Sequence, residues 1–315
     1  MKRFSLLIAL AALLALTAAF PALAVTKLAV FHAGSLAAPM AEIEALYEKA
    51  HPDVDIQRES GGSAALARKI IDLGGQCDLF LSADYMVIER LLRPAAADFN
   101  VLFASNELVL MYGPKARYAK EINGDNWHEI LMKDDVRWGH SDPEADPCGY
   151  RSLMVLQLAE KHYGVAGFYE KALAHPLRAV RPKAIDLVAM VESGAMDYAF
   201  EYRSVAIQHG FEYVELPVEI NLKEPAHADF YATAVVERSG AEPGTKILTK
   251  GEPVVYGLTI PKGAPQQALA EDFASFVLSP DGGLAVFEKM GQAIVGPSAY
   301  GEAGAVPESL RGRLK

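Results

Sequence analysis

The sequence lacks the short motifs that mark many enzymes and metal sites. Its 315 residues contain no GxxxxGK[ST] loop, no HExxH or CxxC pair and no GxSxG turn, and its eight histidines are scattered without ligand spacing. Nucleotide binding, zinc chemistry and a hydrolase nucleophile are therefore unsupported. His32, Ser35 and Asp146 have the residue types of a catalytic triad, but nothing except residue type supports one. We expect a protein that is not an enzyme.

Cysteine is also scarce, with only Cys77 and Cys148 in the whole chain. An oxidising compartment would allow a disulfide between them. However, Cys77 leads into an apolar strand and Cys148 lies at a predicted helix start, and their separation in space cannot be read from sequence. A bridge and two free thiols both remain open.

Long apolar runs are confined to the N-terminus. Two basic residues are followed there by an apolar run and by a small-x-small pattern that ends at Ala24. This pattern predicts a secretory signal peptide, residues 1–24, that is cleaved near Ala24 and directs the protein to a periplasmic or extracytoplasmic location. The alternative is a membrane anchor, but Thr17 and Pro21 interrupt the run.

Positive charge is in the minority. The formal net charge is −10, and loss of Lys2 and Arg3 with the signal peptide would lower it to −12. Such a surface argues against nucleic acid and against anionic membranes as partners. Small anions remain possible, because the N–H groups at helix starts can hold them in an acidic protein.

Strands and helices alternate along the rest of the chain. TKLAVFHAG, VDIQRES and CDLFLSAD read as strands, and each is followed by apolar residues at helical spacing. A second series of the same kind runs through the middle of the sequence. The alternation predicts an α/β fold whose sheet is mostly parallel and covered by helices on both faces.

Two apolar stretches, 101–113 and 253–262, interrupt this alternation and predict crossings between two lobes. We therefore predict that residues 25–106 and 253–315 form lobe 1 and that residues 107–252 form lobe 2. Ligands of such folds bind at the carboxyl ends of the strands and often between the lobes.

Four predicted strand ends lead through small or polar residues into a helix. They are residues 33–36, 59–64, 146–150 and 200–204. Glycine lets a ligand approach the backbone, serine offers a hydroxyl, and a helix start offers free N–H groups. Each segment alone is explained better by helix capping. Four of them, spread over two lobes, favour a shared anion site.

Acids at two of these helix starts need a separate explanation. Asp146 could simply be a helix N-cap, a role worth about 1 kcal/mol. Glu201 lies between Phe200 and Tyr202, where an acid without a function would be costly unless Arg203 or solvent compensates it. A carboxylate repels the oxygens of an anion but attracts an electron-poor metal centre.

Several segments together resemble one family of transport proteins. They are HAGSL, SGGS, ADYMVIERLL, SDP with DPCGYRSLM, and YAFEYRSVAIQHG with ELPVEINL. They are similar to segments of the tungstate/molybdate-binding proteins of ABC importers, in the subfamily best known from archaea, and the resemblance runs from about residue 25 to about residue 297.

The resemblance implies a two-lobed periplasmic-binding-protein fold of type II, in which each lobe is a mixed sheet flanked by helices. It implies that the inter-lobe cleft closes on molybdate or tungstate and that the protein delivers this ligand to the membrane permease of an ABC transporter. No cofactor is implied apart from the ligand. We expect the protein to be a monomer.

The resemblance also implies a set of ligand-binding residues. Those that match the hydrogen-bonding segments of the family are Gly34, Ser35, Ser63, Asp146, Pro147 and Cys148. Asp146 and Glu201 match two carboxylates that reach the metal centre and raise its coordination from four to six. Because sulfur in sulfate does not readily accept further ligands, these acids would select against sulfate.

Other ligands remain open at this level. Sulfate would suit the same serines and helix starts, and two acids with tyrosines would suit a hard cation such as Fe³⁺. The serine- and glycine-lined helix starts favour an anion.

Overall fold

The structure is a computed structural model that describes residues 25–73, 76–240 and 244–315. The predicted signal peptide lies outside the described residues. Among the residues described, no helix is both long enough and apolar enough to cross a membrane.

Thirteen strands and twelve α-helices are present in the described part of the chain. The strands are β1 (Thr26–Ala33), β2 (Val54–Gly61), β3 (Leu79–Ser82), β4 (Val101–Ser105), β5 (Leu108–Tyr112), β6 (Trp138–Ser141), β7 (Arg178–Arg181), β8 (Tyr198–Tyr202), β9 (Glu212–Glu215), β10 (Val235–Ser239), β11 (Lys246–Lys250), β12 (Val255–Thr259) and β13 (Ala293–Ala299). The helices are α1 (Ala37–Ala50), α2 (Ser63–Leu73), α3 (Tyr85–Val87), α4 (Trp127–Ile130), α5 (Pro147–Tyr163), α6 (Phe168–Leu173), α7 (Ala184–Ser193), α8 (Arg203–Gln208), α9 (Ala228–Tyr231), α10 (Gln267–Val277), α11 (Gly283–Lys289) and α12 (Glu308–Arg311). Short 3₁₀ turns cover Gly34–Leu36, Pro225–His227 and Ala303–Ala305, and a π-helical turn covers Ile88–Leu92.

One sheet has six strands in the order β13-β4-β12-β3-β1-β2. Strand β1 runs parallel to β2 and β3, whereas β12 is antiparallel to β3 and β4, and β13 is antiparallel to β4. The expectation of a mostly parallel sheet is therefore wrong here. It fails because β12 and β13, which come from the C-terminal part of the chain, enter the sheet in the opposite direction.

The second large sheet has five strands in the order β7-β6-β8-β5-β9. Strand β6 is parallel to β7 and β8, and β5 is antiparallel to β8 and β9. A separate antiparallel pair, β10 with β11, was not predicted from the sequence. Both large sheets are mixed and flanked by helices, which confirms the predicted fold class. We call the six-stranded sheet with its helices the first lobe, and the five-stranded sheet with its helices the second lobe.

The chain passes between the two sheets through neighbouring segments. The apolar stretch 101–113 forms β4 in one sheet and β5 in the other, and residues 253–262 include β12. Between β4 and β5, the amide of Asn106 donates to Val254 O at 3.3 Å and that of Leu108 donates to Asn221 O at 2.9 Å. The first of these bonds holds the two connecting segments side by side. The residue numbers at which the lobes begin and end stay a prediction.

The start of α5 follows from local sequence chemistry. Asp146 has extended backbone geometry and caps the helix, and Pro147 fills the first helical position, where no N–H is required. The helix ends at Gly164, whose φ of 68° is the left-handed conformation that suits glycine. Most of α5 is buried, so its first turn is held firmly at the junction of the two lobes.

Candidate functional site

The predicted site segments meet where the two lobes touch. In the first lobe they follow β1 and β2, and in the second lobe they precede α5 and lie in β8. The amide of Ala65, in the first turn of α2, donates to Ala145 O of the second lobe at 3.2 Å. A Cβ on Gly62 would lie only 2.3 Å from the same carbonyl oxygen, so glycine is required for this close approach.

Gly34 and Ser35 form the turn after β1. A Cβ on Gly34 would meet no atom within 4 Å, so the packing of the protein does not itself demand glycine there. Ser35 is almost fully buried, and its Oγ lies 3.0 Å from the Tyr256 hydroxyl. This turn therefore presents backbone and one oriented hydroxyl at the end of the strand.

Ser63 opens α2 and is fully buried. Its Oγ accepts a hydrogen bond from the backbone amide of Ala83 at 3.0 Å. A hydroxyl has one proton and can also accept, so Ser63 retains its proton for a further partner.

Asp146 is buried at the start of α5. One carboxylate oxygen accepts from the amide of Cys148 at 3.0 Å, and the other accepts from the amide of Ala184 at 3.2 Å. Burial raises the pKa of Asp146 to about 6, although these two amides and the nearby Arg151 act to lower it. Asp146 is therefore a helix cap and also a buried acid beside Pro147, which is buried as well.

Glu201 is a fully buried acid in β8. Its Oε2 accepts from the amide of Tyr202 at 2.7 Å, while its Oε1 is buried without a hydrogen-bond partner among the described residues. Burial, together with the charge of Asp146, raises the pKa of Glu201 to about 8. Arg203 does not compensate this acid, since its guanidinium pairs with Glu107 at 3.7 Å.

Cys148 lies between the two acids. It is fully buried, and its Sγ is 3.6 Å from Phe200 O and 3.8 Å from Glu201 Oε2. Burial and the two neighbouring acids raise the pKa of the thiol well above its usual value. Cys148 and Cys77 are both free, so the open question of a disulfide is answered by two separate thiols.

The structure brings the predicted residues of the second lobe into direct proximity, since Cys148 bonds Asp146 through its amide at 3.0 Å and lies 3.8 Å from Glu201 Oε2 through its sulfur. Ser35 bonds Tyr256, whose ring centroid lies 6.3 Å from that of Tyr202, the residue after Glu201. Among the described residues, no hydrogen bond joins Gly34 or Ser63 directly to either acid.

A buried polar bridge between the lobes was not anticipated. Arg151 of α5 donates to Ala83 O at 2.6 Å and to the Tyr202 hydroxyl at 2.8 Å, and it pairs with Asp84 at 3.4 Å. Tyr150 also donates to Asp84. The sequence signal was weak, because an arginine after a helix start is usually exposed.

Two further site neighbours, Asn106 and Tyr256, were missed as well. Tyr256 is the second residue of β12, and no local sequence pattern marks it as a site residue. Asn106, with Glu107, interrupts the apolar stretch 101–113, and that interruption is the one feature that pointed to it.

The arrangement can hold a small anion with hydrogen-bond donors from the first lobe. At the start of α5 the amides of Cys148, Gly149 and Tyr150 already donate to Asp146. Within the described residues, no group of three or more His, Cys, Asp or Glu side chains is placed to hold a metal ion. The two acids therefore do not form a conventional cation site by themselves.

Comparison with known proteins identifies the class to which this fold and site belong. The model of the bacterial extracellular solute-binding protein family matches residues 28–292. The chain belongs to that family.

Individual relatives narrow the comparison. An uncharacterized solute-binding protein of Petrotoga mobilis is 48% identical over 92% of this chain and 90% of the relative. The molybdate/tungstate-binding protein WtpA of Pyrococcus abyssi is 41% identical over 92% of this chain and 90% of the relative. Among solved structures, the periplasmic molybdate-binding protein of Azotobacter vinelandii matches with a TM-score of 0.58 at 19% identity, over 85% of this chain and 99% of that chain, which is a likeness of fold.

Proposed function

We propose that the protein is an extracytoplasmic binding protein for molybdate and tungstate that captures the oxyanion between its two lobes and delivers it to the permease of an ABC transporter. The proposal includes export through a signal peptide cleaved near Ala24 and the absence of catalysis. The ligand-binding residues proposed are Gly34, Ser35, Ser63, Asp146, Pro147, Cys148 and Glu201.

The observation that carries this proposal is the unpartnered carboxylate oxygen of Glu201. A fully buried acid with one free oxygen is costly unless a ligand compensates it. An ordinary oxyanion presents only oxygens to this group and is repelled wherever Glu201 is ionised. Mo(VI) and W(VI) in a tetra-oxo ion are electron-poor and take oxygen ligands, so Glu201 and Asp146 can approach the metal itself.

The first lobe supplies a complementary chemistry. Ser35 and Ser63 are buried hydroxyls, and the backbone at Gly34 is open to close approach. Hydrogen bonds to an anion are stronger than those between neutral groups, so these groups can hold the oxo atoms while the acids contact the metal. The relative from Pyrococcus abyssi, named for molybdate and tungstate, supports the same ligand class.

Isothermal titration of the mature protein with molybdate, tungstate and sulfate tests the proposal. We expect tight binding of both metal oxyanions and no displacement of either by excess sulfate. Thermal shift should agree, because a tight ligand raises the melting temperature by mass action. Displacement of molybdate by sulfate, or binding of ferric citrate in place of the oxyanions, would contradict it.

A further inference from the structure

Asn106 lies where the chain passes from the first lobe to the second, and its side chain contacts both. Its Nδ2 is 2.7 Å from Ser204 Oγ in the second lobe and 2.9 Å from the Tyr256 hydroxyl in the first. The Tyr256 hydroxyl is in turn 3.0 Å from Ser35 Oγ. All four side chains are at least nine-tenths buried. One chain of hydrogen bonds thus ends at a hydroxyl of the proposed ligand site.

Backbone amides fix the orientation of the Asn106 side chain. Its Oδ1 accepts from the amide of Glu107 at 3.0 Å and from that of Ser204 at 3.4 Å. Only the carbonyl oxygen of the side chain can accept these bonds, so its NH₂ group must face the two hydroxyls. Asn106 therefore donates one proton to Ser204 and the other to Tyr256.

The direction of the next bond follows from the first. Tyr256 accepts from Asn106 and keeps its own hydroxyl proton, for which Ser35 Oγ is its other hydrogen-bond partner among the described residues. A buried phenol proton without an acceptor would be costly. Tyr256 therefore donates to Ser35, and the proton of Ser35 is left free to be donated elsewhere.

We propose that Asn106 and Tyr256 are positioning residues that fix the Ser35 hydroxyl as a hydrogen-bond donor to the bound oxyanion. The inference rests on the proposed function, which places an oxyanion at Ser35. Neither Asn106 nor Tyr256 needs to touch the ligand. Their effect is that Ser35 does not have to reorient on binding, and such preorganisation increases affinity.

A double-mutant cycle on molybdate affinity, measured by titration calorimetry, tests this series of hydrogen bonds. Ser35→Ala should weaken binding by about 10- to 100-fold, and Tyr256→Phe by about 10-fold. In the Ser35→Ala background, Tyr256→Phe should weaken binding by less than about 2-fold, because there is no hydroxyl left to orient. Tyr47→Phe removes another buried tyrosine hydroxyl of the first lobe, one that bonds Asp272 outside the site, and should leave affinity within about 2-fold.

Three results would overturn the inference. Equal losses from Tyr256→Phe in both backgrounds would mean that Tyr256 supports the fold and does not act through Ser35. An unchanged affinity in Ser35→Ala would remove the hydroxyl from the site while leaving the proposed function intact. A wild-type protein that binds neither molybdate nor tungstate would overturn the proposed function and this inference with it.

Asn106→Ala gives a second route if Tyr256→Phe does not fold. Loss of the amide lets the Tyr256 proton turn either way, so we expect weaker binding in the wild-type background and a smaller loss in the Ser35→Ala background. The same loss in both backgrounds would again count against the chain. The melting temperature of each ligand-free variant provides the check on folding.

Discussion

The first strands of the two parallel series, β1 and β6, end in closely similar ways. His32 at the end of β1 and His140 at the end of β6 are both buried, and each ring Nδ1 bonds the carbonyl of the next residue, at 2.9 Å and 2.7 Å. Each Nε2 faces an arginine of the neighbouring parallel strand, Arg58 at 3.4 Å and Arg178 at 2.8 Å. The two lobes thus place the same scaffold on either side of the site.

The residues that follow these strand ends differ. After β1, the Gly34–Leu36 turn and α1 begin without a side-chain cap. After β6, a longer loop leads to Asp146, which caps α5 with a carboxylate, and Glu201 adds a second acid from β8. The two lobes therefore share the geometry of these strand ends but differ in the side chains that follow them. To the proposed site, the first lobe contributes neutral donors and the second contributes both acids.

Substitution of Arg151 is expected to have the largest effect on stability, because this side chain links the two lobes. Arg151→Met should lower the free energy of unfolding by about 3–5 kcal/mol, since Asp84 would lose its buried cation. Urea unfolding followed by circular dichroism measures this. The exposed Arg313, changed to Met, serves as the control and should alter stability by no more than about 0.5 kcal/mol. A loss as small as that of the control would mean that the lobes do not depend on the bridge.

His32 and His140 should have the next largest effect, which is on how the free energy of unfolding depends on pH. Burial lowers the pKa of both His32 and His140 from 6.5 to about 4. Between these values the unfolded chain binds more protons than the folded one, so this contribution to stability is lost as the pH falls from 6.5 towards 4. Each histidine should lower the free energy of unfolding by about 2 kcal/mol when the pH falls from 7 to 5.

The slope of the unfolding free energy against pH has to be compared between variant and wild type, because the site acids stabilise the folded protein as the pH falls. The pKa values of Asp146 and Glu201 are raised, to about 6 and about 8, so the folded chain gains stability as these acids bind protons. A variant with His32→Gln and His140→Gln should therefore become more stable relative to wild type as the pH falls from 7 to 5. A constant difference between the two proteins across that range would contradict the prediction.

Glu201→Gln tests the division of chemistry between the lobes directly. Molybdate and tungstate affinity should fall by about 100-fold, because an amide oxygen is a weaker ligand for an electron-poor metal centre than a carboxylate oxygen. The ability of sulfate to compete should rise, since the repulsive acid is gone. Titration with sulfate as competitor measures both effects.

The same variant should also be more stable than wild type without ligand, because a buried acid has been removed. Glu237→Gln is the matched control, since this glutamate is exposed on β10 and pairs with Lys246. An unchanged preference for tungstate over sulfate in both Glu201→Gln and Asp146→Asn would show that the second lobe does not set selectivity.

The comparison also explains what the sequence could predict. Alternating strands and helices, the cap at Asp146 and the costly position of Glu201 depend on neighbours in the sequence, so they could be inferred. The place of β12 in the first sheet depends on pairing with β3 and β4, far away along the chain. The bond between Asn106 and Tyr256 spans 150 residues, and no local pattern encodes such a contact.

Ser63→Ala should have the smallest effect and gives the contrast to Glu201→Gln. Ser63 is a neutral donor of the first lobe, so its loss should weaken the binding of molybdate, tungstate and sulfate by the same factor, about 10-fold. Ser193, an exposed serine at the end of α7, provides the control when changed to Ala. Competition titrations give the ratios. If Ser63→Ala changed the ratio of tungstate to sulfate as much as Glu201→Gln does, selectivity would be a property of both lobes, and the division between neutral donors and acids would no longer account for it.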